Sequence, residues 1–133
     1  MKKEIAKKDL YELYVDTVKN RTHIIFRGFW ENLDDLPNLL EDFKRVMDEV
    51  KSGFTSITDV SEMKPPSQEA SQLLVEMKNI ADKKGQGRVA RIVDKKLTKI
   101  VSKRISRESD MGKEVEHFAT YEEAEAWLDS FKD

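Results

Sequence analysis

The chain contains no cysteine, only two histidines and no apolar run near the ~20 residues that would span a bilayer. Without cysteine there is no disulfide framework, thiol nucleophile or thiolate metal site. His23 and His117 each fall inside a predicted strand, where neither suggests the close side-chain geometry of a Ser-His-acid group. Phosphate-cradling and dinucleotide-binding glycine motifs are also missing, since Gly85-Gln86-Gly87 reads as a helix-to-strand turn. Excess charge of one sign is lacking as well. The 24 basic and 26 acidic residues nearly cancel to −2, so no electrostatic ground exists for expecting nucleic acid. Residues Met1 to Asp9 are charged and carry no secretory apolar core, and by default these absences favour the cytoplasm.

What remains is a chain of 133 residues with 38% hydrophobic and 38% charged side chains, which suits one soluble domain with a highly charged surface. Residues 1–8 are expected to form a flexible tail. Leu10 to Val18 alternates, with Tyr11, Leu13 and Val15 on one face, as a half-buried strand does. Lys19-Asn20 makes a turn into a second strand, Arg21 to Phe29. From Leu36 the apolar residues Leu39, Leu40, Phe43, Met47 and Val50 recur at helical spacing, with Asp34 and Asp35 at the N-terminus and Pro37 in the first turn. Phe54 to Val60 is a third strand, bounded by Gly53 and Pro65-Pro66.

Ser67 is placed to cap a helix carrying Ala70, Leu73, Leu74, Met77, Ile80 and Ala81, which Lys83-Lys84-Gly85 ends. Arg88 to Val93 is strand four, Lys96 to about Glu108 a third helix, and Val115 to Phe118 strand five. Thr120 and Glu123 form a capping box before a last helix. The order ββαβαβαβα predicts an α/β single domain: a mixed, mostly parallel five-stranded sheet with four helices.

Ligands of such sheets collect at the carboxyl ends of the parallel strands. Those ends offer a binding edge of Phe29, Trp30, Asp59, Ser61, Met63, Pro65, Pro66 and Ser67. Large apolar residues in two loops there would make an exposed patch, unless Trp30 folds back onto the core. Asp59 and Asp94 could hold a hard cation, but turn and capping roles explain both, and no metal or other cofactor is assigned. Lys96, Lys99, Lys103 and Arg107, with Arg88, Arg91 and Lys95 nearby, are read as a solvated helix face and its surroundings. These features favour binding over catalysis.

The strand Ser56-Ile57-Thr58-Asp59-Val60, the loop to Ser67 and the helix Ala70 to Ala81 resemble those of STAS domains, the anti-sigma-factor-antagonist-like proteins of bacteria. The patterns Gly87 to Val93 and Ala119 to Leu128 look closer still to a small branch grouped with STAS and SEC14-like folds. The resemblance implies a non-enzymatic regulatory module that docks on a protein partner and is often switched by serine phosphorylation. Ser67 stands at the matching position, but the acidic residue before it and the small residues after it are absent; a plain N-cap role competes. The SEC14-like side implies instead a carrier or sensor of a small apolar or amphiphilic ligand. An uncovered helix face or sheet edge would also suit a homodimer.

Overall fold

The computed structural model describes residues 2–94 and 115–131. Its strands are β1 (Lys2–Lys7), β2 (Tyr11–Asp16), β3 (Arg21–Gly28), β4 (Thr55–Met63), β5 (Val89–Ile92) and β6 (Val115–Phe118). Its helices are α1 (Leu39–Glu49), α2 (Gln68–Lys84) and α3 (Tyr121–Asp129), with a short 3-10 turn over Leu33–Asp35. The strands form one six-stranded sheet in chain order. β1, β2 and β3 pair antiparallel, whereas β3 to β6 run parallel. The architecture is therefore α/β with a mixed sheet, of six strands rather than five. The helix expected over Lys96 to Glu108 lies outside the described residues, as do Lys95 and the basic positions that follow it.

Residues 2–7, expected within a flexible tail, form the edge strand β1. Its sequence hides the strand because Lys2, Lys3, Glu4 and Lys7 are exposed and only Ile5 and Ala6 are buried. Charged side chains on an edge strand discourage pairing with another chain, and they also erase the alternation by which a strand is read. The β2–β3 turn is the expected one. Asn20 adopts φ 53°, and Asp16 Oδ1 accepts from the backbone N–H of Val18 and Lys19 at 3.0 Å each.

Period-two alternation gives the sheet two unlike faces. Leu13, Val15, Ile24 and Phe26 pack with Phe43, Val46 and Met47 of α1 and Leu73 and Met77 of α2. On the other face Ile57, Ala90 and Ile92 meet Ala124 and Leu128 of α3. Two polar residues inside the first layer are bonded to each other: Thr22 Oγ1 donates to Ser56 Oγ at 2.8 Å, which donates to Gln86 Oε1 at 3.0 Å. Tyr11 donates to the buried Asp42 Oδ2 at 2.7 Å, and burial followed by that carboxylate raises the phenol pKa.

The helix ends show why α2 is so readable. Ser67 caps its N-terminus, and Gly85 closes it at φ 103°, a left-handed conformation costly to residues with a Cβ. A methyl group at 85 would also run into Ser52, whose Cα lies 3.2 Å from the added carbon. Gly85→Ala should lower stability by about 1–2 kcal/mol in a urea titration; a change under ~0.3 kcal/mol would mean that Ser52 and the backbone relax freely. The start of α1 departs from expectation. Asp34 and Asp35 belong to the separate 3-10 turn, and the helix begins at Leu39, beyond Pro37. Among the described residues no helix is long and apolar enough to cross a membrane.

Candidate functional site

The carboxyl ends of β3 and β4 bring most of the expected edge together. Gly28 leaves β3 at φ 76°, where an added Cβ would meet Leu10 Cδ2 at 2.8 Å. The chain then turns Trp30 inward and Phe29 outward. Trp30 is 0% exposed, packs edge-on against Phe26 at 4.7 Å between ring centroids, and donates from Nε1 to Arg27 O at 3.1 Å. It is thus a core residue and not part of an accessible edge. Phe29 is 47% exposed and Leu33, four residues on, is 38% exposed.

β4 is longer than expected. Ser61, Glu62 and Met63 continue the strand, with Glu62 and Met63 opposite Arg27 and Gly28. Three steps from Asp59 to Glu62 face two from Ile25 to Arg27, so β4 carries one extra residue, a bulge. Asp59 Oδ1 accepts from Ser61 N–H at 2.9 Å and Ser61 Oγ at 2.6 Å, which fixes the kink. Met63 is half-buried against the main core, Pro65 is exposed and Pro66 half-buried.

Hydrogen bonds fasten the two loops to each other. Lys64 N–H donates to Gly28 O and Ser67 N–H to Trp30 O, both at 3.0 Å. Ser67 Oγ accepts from Ala70 N–H at 3.1 Å and donates to Glu31 O at 2.6 Å. The same hydroxyl therefore caps α2 and clips the loop after β3. Ser67→Ala removes both bonds and should cost about 1–2 kcal/mol; equilibrium denaturation would show it, and Ser67→Asp, which restores only the cap, should recover about half.

Among the described residues, the charge around this edge is one-sided although the chain is nearly neutral. Glu31, Asp34, Asp35, Glu62 and Glu69 are all exposed there, against one exposed lysine, Lys64.

A second place was not legible in the sequence. α3 covers the β4–β6 part of its sheet face, leaving a cleft of about 320 Å³ over β2–β4 lined by Lys2, Tyr14, His23, Ile25, Ile57, Asp59 and Tyr121. Asp59 thus faces this cleft, away from Trp30. His23 is 3% exposed and stacks on Tyr121, whose hydroxyl meets its Nδ1. Its Nε2 has no hydrogen-bond partner among the described residues, with Glu125 Oε1 at 3.9 Å. Burial, followed by Lys2, holds its pKa down to about 4, so the ring is neutral at pH 7. Burial and then Glu125 raise the Tyr121 phenol, while a bond to Glu12 and then burial push Tyr14 up to about 12. Buried Arg21 pairs with Glu125 and, at 3.0 Å, with Asp129, pinning α3 to the hairpin.

Among the described residues no group of three or more His, Asp or Glu is placed to hold a metal ion. Of the basic residues near the C-terminal strands, Arg88 stacks over the Phe131 ring at 3.6 Å, and burial lowers the pKa of Arg91. Arg88 is thereby engaged with the protein.

No family model matches the chain, and no curated protein matches it either. A solved structure does: an uncharacterized protein of the DUF3478 family with a SpoIIAA-like fold, from Shewanella loihica PV-4. The likeness covers 96% of this chain and 92% of that one with a TM-score of 0.64, at 15% sequence identity. At that identity the likeness speaks for the fold. The chain accordingly has a SpoIIAA-like fold, in keeping with the resemblance its strand and helix patterns carry.

Proposed function

We propose that the chain is a non-enzymatic regulatory module that docks on a protein partner through the edge formed by Phe29, Leu33, Pro65, Pro66 and Ser67. The observation that carries this is the pairing of a buried Trp30 with an exposed Phe29. One aromatic anchors the loop in the core, so the next can be presented on a fixed frame. Preorganised apolar groups lose little entropy on binding, which is what a docking surface needs. The five exposed carboxylates among the described residues there suit a partner that is basic as well as apolar.

Ser67 is the switch in this reading. Its hydroxyl proton is the one donated to Glu31 O, so a phosphoryl group would remove that donor. It would also place about two negative charges beside Glu31 and Glu69. Phosphorylation should thus loosen the clip between the loops and alter the shape and charge of the docking edge. Carriage of an apolar ligand under the same edge is the weaker reading, because Trp30 fills the space a ligand would need.

A photo-reactive benzoylphenylalanine at position 29, in cells that make the protein, tests the docking surface. The expected result is one cross-linked protein, captured again from position 33, lost on E31K/D34K/D35K and absent from the exposed position 75 on α2. Equal capture from position 75, or none from 29 and 33, would overturn the reading.

A further inference from the structure

The cleft beside α3 is walled by apolar side chains of two central strands, Ile25 and Ile57, and by two tyrosines, Tyr14 and Tyr121. Its volume of about 320 Å³ falls at the lower end of the range for small-molecule sites. A cation is already at its mouth: the Lys2 ammonium lies 4.4 Å from the centroid of the Tyr121 ring. Aromatic faces are negative, so this is where the cleft attracts positive charge. Lys2 reaches it from the edge strand, paired opposite Asp16.

The charges around the cleft point the same way. Arg21 is committed to Glu125 and Asp129, and Arg27 to Glu12. Tyr14 and Tyr121 spend their hydroxyls on Glu12, and on Glu125 with His23. Neutral His23 adds no competing charge. Asp59 makes no ion pair among the described residues; its Oδ1 is bonded to Ser61, and its negative charge remains a counter-charge for the cleft. Once Lys2 moves aside, the Tyr121 ring face and the Asp59 carboxylate both favour an organic cation over an anion.

We propose that this cleft binds a small organic ammonium ion, its charged head replacing Lys2 over Tyr121 and its apolar body lying along Ile25 and Ile57, with Asp59 as counter-ion. The site is on the opposite side of the sheet from the core around Trp30 and does not depend on the docking edge. Lys2 acts as a resident competitor that a ligand must displace. A primary or quaternary ammonium fits equally, because the ring faces read charge and not hydrogen-bond geometry.

Choline and its uncharged isostere 3,3-dimethylbutanol separate cation recognition from apolar filling. In an NMR titration choline should shift the amides of Ile25, Ile57, Asp59 and Tyr121 saturably, and the isostere should bind at least ~5-fold more weakly. Lys2→Ala should tighten choline several-fold by removing the competitor. Tyr121→Leu should abolish binding, whereas Tyr121→Phe, which keeps the ring, should retain it; the pair distinguishes lost recognition from lost folding. Equal affinity for the isostere would overturn the proposal, as would the absence of saturable shifts in both the parent chain and the Lys2→Ala variant. Cross-linking from position 29 bears on neither result.

Discussion

Trp30→Ala should cost about 3–5 kcal/mol of folding stability, the largest single effect expected in this chain. The side chain is fully buried, packs against Phe26, and satisfies Arg27 O through its indole N–H. Deleting it leaves a cavity between the sheet and the helices and frees a carbonyl at the end of β3. Against the 5–15 kcal/mol typical of a domain, a loss of that size should lower the thermal midpoint by on the order of 10–20 °C. Trp30→Phe keeps much of the volume and should cost about half as much. A loss below ~1 kcal/mol for the alanine variant would place Trp30 at the surface. The two substitutions also bear on docking. Trp30→Phe should leave capture at position 29 intact, since the indole itself touches no partner, while Trp30→Ala should weaken it by letting the Phe29 loop go slack.

Trp30 also shows why sequence and structure agree on the frame more than on the site. Elements defined by periodicity and caps were legible: α2 runs between Ser67 and Gly85, and α3 opens on Thr120, whose hydroxyl accepts from Glu123 N–H at 3.2 Å. β1 was not, because a strand at a charged edge has little alternation to read. Nor was the reach of β4 to Met63, since a bulge interrupts its period. The expected edge residues fall mostly in the two loops after β3 and β4, but two adjacent aromatics look identical in a sequence. Which of Phe29 and Trp30 turns inward depends on the positive φ at Gly28 and on whether Arg27 O lies within reach of an indole. The cleft was less legible still. Its lining comes from β1, β2, β3, β4 and α3, from Lys2 to Tyr121, and no local spacing records that meeting.

The two histidines set the second large expectation, a steep loss of stability between pH 6.5 and 4. Both His23 and His117 are buried and held down to about 4, by burial first, then by Lys2 for His23 and Arg91 for His117. Above pH 6.5 each ring is neutral whether the chain is folded or not, and no penalty exists. Below it the unfolded chain takes up protons that the folded one refuses, until the folded rings titrate near pH 4. Each histidine then contributes a slope of up to about 1.4 kcal/mol per pH unit, and the two together up to about 2.7. Summed across the window, the loss is roughly 2–3 kcal/mol for each ring, allowing for some relaxation around the charged form. Asp16 and Asp129 carry the decline below pH 4. Burial opposes ionisation in both, yet their pKa values are lowered, by backbone N–H donors at Asp16 and by Lys19 and Arg21 at Asp129. Urea titrations at half-unit steps from pH 8 to 4.5 would measure the slope. His23→Asn, which can keep a polar atom facing Tyr121, should remove about half of it, and adding His117→Asn most of the remainder. Direct titration of the imidazole Cε1 protons checks the cause. Ordinary values near 6.5 for both rings, with stability flat down to pH 5, would mean that water reaches His23 from the cleft and His117 from its own side of the sheet.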